Sequence, residues 1–318
     1  MADTDQEAQT LSLGIDIGGT KAHGLVLDGA DRVLAERVLP TQPTETGIRR
    51  TVVGVAAELA RDLDISEAEF TSVGLGIPGV VDHATGVVET AVNLGITRTD
   101  LADVLADAFG VAVRVENDVK ATALGAGLAL GRTHRDLAYL NLGTGVAAAA
   151  INNGRLVRGT RNAAGEIGHL AVDPRAEKCE CGQLGCLETV VGGAHIARRL
   201  GVLGLDLADL DADPRPQAIA ERDRIVAGLA TTLTFVVIAY DSATVVLGGG
   251  VFRAAAWLRP LVQAELRDRA KTSPFLAGLG VAERLVELPA DVPVAAIGAA
   301  VVGRRKELRT RSKTLVGS

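Results

Sequence analysis

Cysteine is nearly absent from this chain: there are three among 318 residues, all between positions 179 and 186. An odd number of clustered thiols makes no disulfide framework and points to a reducing compartment. Long runs of one charge are missing too. Lys and Arg number 33 against 39 Asp and Glu, a formal charge of −6, and no basic stripe follows the sequence as a phosphate backbone would require. Nucleic acid is therefore not expected as a partner. The first ten residues, MADTDQEAQT, contain no apolar stretch, so no export signal is expected. Of the uncharged segments, residues 226–240 are too short for a span and hold three threonines, which reads as a buried helix. Residues 137–154 are broken by Gly143, Gly145, Asn152, Asn153 and Gly154. Heptads and low-complexity tracts are absent. The expectation is a cytoplasmic protein without a membrane contact, 47% hydrophobic and long enough for two cores.

What is present is concentrated. Glu166-Ile-Gly-His169 is followed by Cys179-x-Cys181-Gly-x-x-Gly-Cys186-x-Glu188, so every thiol lies near one imidazole and two carboxylates. His169, Cys179, Cys181 and Cys186 make a closed four-ligand set suited to tetrahedral zinc. Gly182 and Gly185 allow the turns that would aim thiolates at one point. The alternative is three reduced thiols beside a surface histidine.

The chain also repeats a unit. A strand over 11–17 meets Gly18-Gly19-Thr20-Lys21, then a strand over 22–27, a turn at 28–31 and a strand over 32–39. A strand over 137–142 meets Gly143-Thr144-Gly145, then a strand over 146–151, a turn at 152–154 and a strand over 155–158. A dinucleotide or Walker loop runs from strand into helix. Here each glycine turn runs into a second strand, which excludes both. Two related α/β domains, each offering a hairpin turn whose N–H groups hold phosphate, fit the pattern; two unrelated β-meanders are the alternative. Strand–helix alternation after each meander predicts parallel sheet. Helices are expected over 51–63, 101–109, 119–130 and 222–240, with strands over 72–77, 111–115 and 244–247. The acidic stretch 206–213 is expected to be an exposed connection.

Asp118 lies where the strand over 111–115 gives way to the helix over 119–130, the edge where open α/β sheets place ligands. Placed there it is the candidate catalytic base, a carboxylate able to take a proton from a reacting group. Alternatively, Asp118 or Asn117 caps that helix. Gly248-Gly249-Gly250 follows the strand over 244–247 and suits any tight strand-to-helix turn.

Asp16-x-Gly18-Gly19-Thr20, Gly74-x-Gly76-x-Pro78-Gly79, Glu116-Asn117-Asp118, Gly143-Thr144-Gly145, Ala164-Gly165-Glu166-Ile167-Gly168-His169, the cysteine block to Glu188, and Leu247-Gly248-Gly249-Gly250 occur in this order. In that order they resemble the ROK family of sugar kinases and sugar-responsive repressors, from about residue 12 to 300. The resemblance implies an α/β, duplicated actin-like (ribonuclease H-like) fold of two lobes with a catalytic cleft between them. The smaller lobe would be 1–119 plus a C-terminal helix of about 297–318, and the larger 120–296, with the zinc loop and a homodimer contact.

The resemblance also implies roles. Asn117, Glu166, His169 and Glu188 match the hexose-binding set, with Gly76 and Asn93 as further sugar-side positions. Glu166 is otherwise a solvated loop residue, and Glu188 an arginine partner. One His169 nitrogen would face a structural Zn²⁺ while the other meets a sugar hydroxyl. Asp16 would hold Mg²⁺ with ATP. The turns at Gly18, Gly19, Thr20 and at Gly143, Thr144, Gly145 would cradle phosphates, with Lys21 as a phosphate contact or a solvated charge. Gly248, Gly249 and Gly250 match the adenosine side. The implied activity is phosphorylation of a hexose, glucose first, at its primary hydroxyl.

Other readings stay open: mannose, fructose, allose, N-acetylmannosamine or N-acetylglucosamine as acceptor, polyphosphate as donor, a non-catalytic sensor, or an actin-like ATPase. Repressors of the family carry a DNA-binding segment before the first strand, and ten polar residues stand there in this chain. Four departures bear on the choice of hexose. Lys120 stands where relatives have a small residue, with a helix-surface position expected. Ala147 replaces a glycine, residues 121–130 lack an acidic–aromatic segment, and Ala22-His23 replaces a small aliphatic pair.

Overall fold

A computed structural model describes residues 10–131, 136–172 and 177–304. The polar leader at 1–9 and the part of the expected C-terminal helix beyond 304 lie outside the described residues. The chain divides into two compact units, Met1–Ala121 with Ala295–Ser318, and Thr122–Val294.

In the first unit the alternating apolar segments form β1 (Ser12–Ile17), β2 (Lys21–Leu27) and β3 (Val33–Pro40), an antiparallel meander. β4 (Ser72–Ile77) runs parallel to β1. Three short strands, β5 (Val80–Asp82), β6 (Val87–Ala91) and β7 (Ile96–Asp100), make a separate antiparallel sheet. β8 (Val113–Asn117) lies parallel to β4, giving the sheet order β3-β2-β1-β4-β8.

Both faces of this sheet are covered. Ile48, Val52, Val55 and Leu59 recur at helical spacing on the helix Glu45–Asp62 and are buried. That helix starts six residues before the sequence expectation of 51, because Thr44 caps it by accepting the Gly47 N–H at 3.3 Å. The helix Val294–Arg304 approaches β1 and β4 through glycine. A Cβ on Gly14 would overlap the backbone at Ala296 and Ala300, and one on Gly74 the carbonyl oxygen of Ala299. Arg304 then fixes the end of the helix, donating to Ser12 Oγ at 2.6 Å and to the Asp28 carbonyl at 2.6 Å.

The second unit repeats the pattern. β9 (Leu137–Leu142), β10 (Val146–Asn152) and β11 (Arg155–Leu156) form the meander. β12 (Thr244–Gly248) and β13 (Leu285–Glu287) extend it in parallel, and the order β11-β10-β9-β12-β13 matches the first sheet strand for strand. The helix Pro216–Tyr240 has proline at its first turn and buries Ala218, Ile225, Leu229, Leu233 and Val236 along one stripe. By length and composition it could cross a membrane, but this stripe belongs to the core of the second unit, with Leu140, Val245 and Leu258. The acidic stretch 206–213 is not simply an exposed connection. It forms a 3₁₀ turn, Leu207–Ala212, whose Leu210 is 0% exposed, while Trp257 Nε1 donates to the Leu207 carbonyl at 3.0 Å.

Replacing Gly74 by Ala should destabilise the protein by about 1–3 kcal/mol, since backbone must move to admit the methyl. Gly201 on the helix Gly193–Leu203 meets nothing within 4 Å, so Gly201→Ala should instead leave stability unchanged or raise it by about 0.5–1 kcal/mol. Urea unfolding midpoints of the two variants check the contrast; equal midpoints would refute the helix seat.

Candidate active site

In the first unit, β8 ends at Asn117 and the helix Asp118–Ala129 begins. Asn117 Oδ1 accepts the Lys120 N–H at 3.1 Å, so the capping role falls to Asn117. Its amide nitrogen donates to the Gly79 carbonyl at 3.1 Å and to Asp118 Oδ1 at 3.0 Å. Asn117 is thereby occupied in aiming the Asp118 carboxylate and has little capacity left for a ligand. Gly76 on β4 lies beside this group: a Cβ there would stand 3.3 Å from Asp16 Oδ1 and 3.6 Å from Asp118 Cα.

Burial, and then the negative charge of Asp118, push the Asp16 carboxyl up to about 7 against the pull of Lys21. Two carboxylates this close suit a divalent cation, so Asp16 fits the Mg²⁺ assignment. In the turn after β1 the Gly18 N–H donates to the Lys21 carbonyl at 2.9 Å, which closes the turn. A Cβ on Gly19 would lie 3.9 Å from Asn93 Cβ, so those two candidates are neighbours. Lys21 is exposed. Lys120 departs from expectation: it is 2% exposed, a buried residue and not a helix-surface one.

In the second unit the candidates converge on the β9–β10 hairpin. Glu188, second residue of the short helix Leu187–Val191, accepts the Val146 N–H through Oε2 at 3.0 Å. A Cβ on Gly145 would overlap that carboxylate, so the glycine is what lets Glu188 reach the turn. Glu188 therefore has a backbone partner where an arginine was the alternative. The segment 165–169 is also laid against β10. The Ala148 N–H donates to the Gly165 carbonyl at 2.8 Å, and side chains on Gly165 or Gly168 would overlap the carbonyls of Ala148 and Val146. Glu166 and His169 are thus exposed from a segment whose two glycines fix its distance from the sheet. The backbone partner Val146 was not anticipated from sequence; the glycines flanking Glu166 and His169 were the available signal.

The four proposed ligands meet. One donor atom from each of His169, Cys179, Cys181 and Cys186 lies within 4.8 Å of all the others. Cys181 and Cys186 sulfurs are 3.6 Å apart, and Cys179 Sγ is 3.7 Å from His169 Nδ1. A tetrahedral zinc with bonds of about 2.3 Å to sulfur and about 2.0 Å to nitrogen has edges of roughly 3.5–3.8 Å, so the donor set fits. Gly182 and Gly185, at φ 95° and 71°, make the turns. Burial, reinforced by Cys181 and Cys179, pushes the Cys186 thiol up to about 12. Bonds from Gln183 bring Cys181 down to about 6. Burial also raises Cys179. Without a cation this cluster resists full ionisation, which a bound metal would reverse.

Gly248 and Gly249 are needed for close approach. A side chain on the first would overlap Tyr139, and one on the second, at φ 98°, the backbone of Leu142. A cavity of about 230 Å³ adjoins them, bounded by Tyr139, Phe252, Arg253, Glu287 and Pro289.

The repeated hairpin sheet, a carboxylate pair in one unit and a Cys₃His cluster in the other define an α/β protein of duplicated design. A sequence model of the ROK family matches residues 12–309, and the chain belongs to the ROK family. The glucokinase of Halalkalibacterium halodurans is 30% identical over 277 residues, 79% of this chain and 84% of that protein. The crystal structure of a ROK hexokinase from Thermus thermophilus aligns with a TM-score of 0.79 and 28% identity, over 92% of this chain and 98% of that one. A ROK family glucokinase from Streptomyces griseus, in complex with glucose and AMPPNP, aligns at 0.74 with 26% identity, over 92% and 99%. The fold is the actin-like two-domain fold of these proteins.

Two outcomes follow from the charges. Asp16 has a folded pKa of about 7 against 3.8, so the folded state holds a proton that the unfolded chain has lost, and stability falls as pH rises from about 4 to 7. Without divalent cation, Asp16→Asn should melt a few degrees above the parent at pH 8 and level with it at pH 4. Melting curves at the two pH values check this, and identical offsets would refute it. The thiol cluster should hold about one zinc per chain at pH 8 and release it as pH falls below about 6, because each ligand must be deprotonated to bind. Elemental analysis after dialysis decides; a native, metal-free protein at pH 8 would remove zinc from the site.

Proposed function

We infer that the chain is a phosphotransferase acting on a sugar, and we propose that it transfers the γ-phosphoryl group of ATP to the primary hydroxyl of a hexose, glucose being the leading candidate. The observation that carries this is the Asp118 carboxylate held by the Asn117 amide and set beside Asp16. Asp118 takes the proton of the attacking hydroxyl as the new P–O bond forms. Asn117 fixes its rotamer, which is worth more to the reaction than a further sugar contact.

Sugar hydroxyls are assigned to Glu166, His169 and Glu188, carboxylates and an imidazole being strong partners for groups that both donate and accept. Because Nδ1 of His169 faces the thiols, Nε2 is left for a hydroxyl. Gly76 and Asn93 stand near the reacting carboxylates and the first turn. Zinc, when bound by His169, Cys179, Cys181 and Cys186, would shape this loop and supply no open position for chemistry. Asp16 would hold Mg²⁺ of the nucleotide, which neutralises phosphate charge. The turns at 18–20 and 143–145 offer N–H groups and the Thr20 and Thr144 hydroxyls to phosphates. The cavity beside Gly248, Gly249 and Gly250 takes the nucleoside. Support for glucose comes from the named relative and from the glucose-bound neighbour.

The test is ADP release with Mg·ATP across glucose, mannose, fructose, allose and the N-acetylhexosamines. Turnover should depend on one hexose, and Asp118→Asn should lower kcat about 10²–10⁴-fold. No sugar-dependent turnover by folded, zinc-loaded protein, or full activity in the variant, would overturn the reading.

A further inference from the structure

The helix Gly193–Leu203 has no part in the chemistry above, yet it grips the Cys₃His segment at both ends. Beyond the last cysteine, the helix Leu187–Val191 has only five residues, far below the length at which a helix holds itself. Cys186 stands at its N-cap position and Glu188 is its second residue, so its orientation sets both a metal donor and a sugar candidate. Its C-terminal carbonyls need partners, and Arg199 supplies them: Nη1 donates to the Thr189 carbonyl at 2.6 Å and Nη2 to the Val190 carbonyl at 2.7 Å. The same guanidinium donates through Nε to Glu221 on the helix Pro216–Tyr240 at 2.7 Å, the two side chains being 12% and 10% exposed.

Before the first cysteine, Glu177 lies 3.8 Å from Arg199 and 3.2 Å from His195 Nδ1, and pairs with Arg198. At the head of the gripping helix, the Gly193 and Ala194 N–H groups donate to the carbonyls of Gly143 and Thr144, each at 3.0 Å. One helix thus reaches the entry to the thiol segment, its exit and the hairpin turn.

We propose that Arg199, anchored by Glu221, is a positioning residue that sets Cys186 and Glu188 by clamping the carbonyls of Thr189 and Val190. Burying an ion pair adds little stability on its own. A planar fork that reaches two carbonyls and a carboxylate at once gives geometry, which a lysine ammonium cannot reproduce. The hexose part of this inference rests on the kinase reading above; the zinc part does not.

The test compares Arg199→Met, Arg199→Lys and Glu221→Gln in the full chain. Zinc transfer to a chromogenic chelator should be about 10–100-fold faster in Arg199→Met, as for other residues that support metal ligands from behind. The KM for the accepted hexose should rise by about tenfold or more, with KM for ATP and kcat changing much less. Arg199→Lys should fall between parent and Arg199→Met on both readouts. Lower melting temperatures with unchanged zinc transfer and unchanged hexose KM would overturn the proposal, since that is all a merely structural arginine would give. Should the parent turn over no hexose, the kinase reading falls while zinc transfer still decides the role of Arg199. If Arg199→Met does not fold, Arg199→Lys and Glu221→Gln carry the same comparison.

Discussion

Backbone meeting backbone with no side chain between is the constraint on which both units depend. In the first, the helix Val294–Arg304 reaches β1 and β4 only because positions 14, 74 and 303 lack a Cβ. In the second, the segment around Gly165 and Gly168 lies against β10, and the head of the helix Gly193–Leu203 against the turn at Gly143. In the second unit these approaches bring N–H and C=O groups of different elements into hydrogen bonds, Ala148 with Gly165 and Gly193 with Gly143. A methyl at any of them would push the elements apart by more than a hydrogen bond tolerates. The glycines are therefore not slack in the chain; they set distances.

Groups that resist ionising together mark both candidate metal positions. Asp16 and Asp118 repel in the first unit, and three thiols crowd in the second. Neither group gains from being together in the bare protein. The arrangement becomes favourable when a cation, or the proton of an attacking hydroxyl, is supplied from outside. Such a design costs stability in the empty protein and returns it on binding.

The duplicated hairpin was legible because a glycine turn between two apolar strands is a local signal, and the strand orders then repeat as that signal implies. The thiol cluster was legible because cysteine occurs nowhere else. The β5–β7 sheet was not, since strands of three to five residues leave too little alternation to read. Lys120 was misread as surface because charge is the usual mark of exposure, and only tertiary packing buries it. Asn117 and Asp118 could not be told apart as cap and acid from sequence, both types favouring the same position. The bond from the Lys120 N–H gives the cap to Asn117 and leaves Asp118 outside that role.

Glu188 shows why site residues in such a protein cannot be treated one at a time. Its Oε2 is committed to the Val146 N–H, so the acceptor capacity left for any ligand is chiefly that of Oε1. The same bond ties the carboxylate to the strand that leaves the Gly143–Gly145 turn. Any displacement of Glu188 by a ligand is therefore felt at the turn, and any displacement of the turn is felt at Glu188. Linkage makes any such coupling reciprocal: two ligands that both favoured the Val146 bond would each raise the other's affinity by the same factor. The coupling is contained in one hydrogen bond and the glycine that makes room for it.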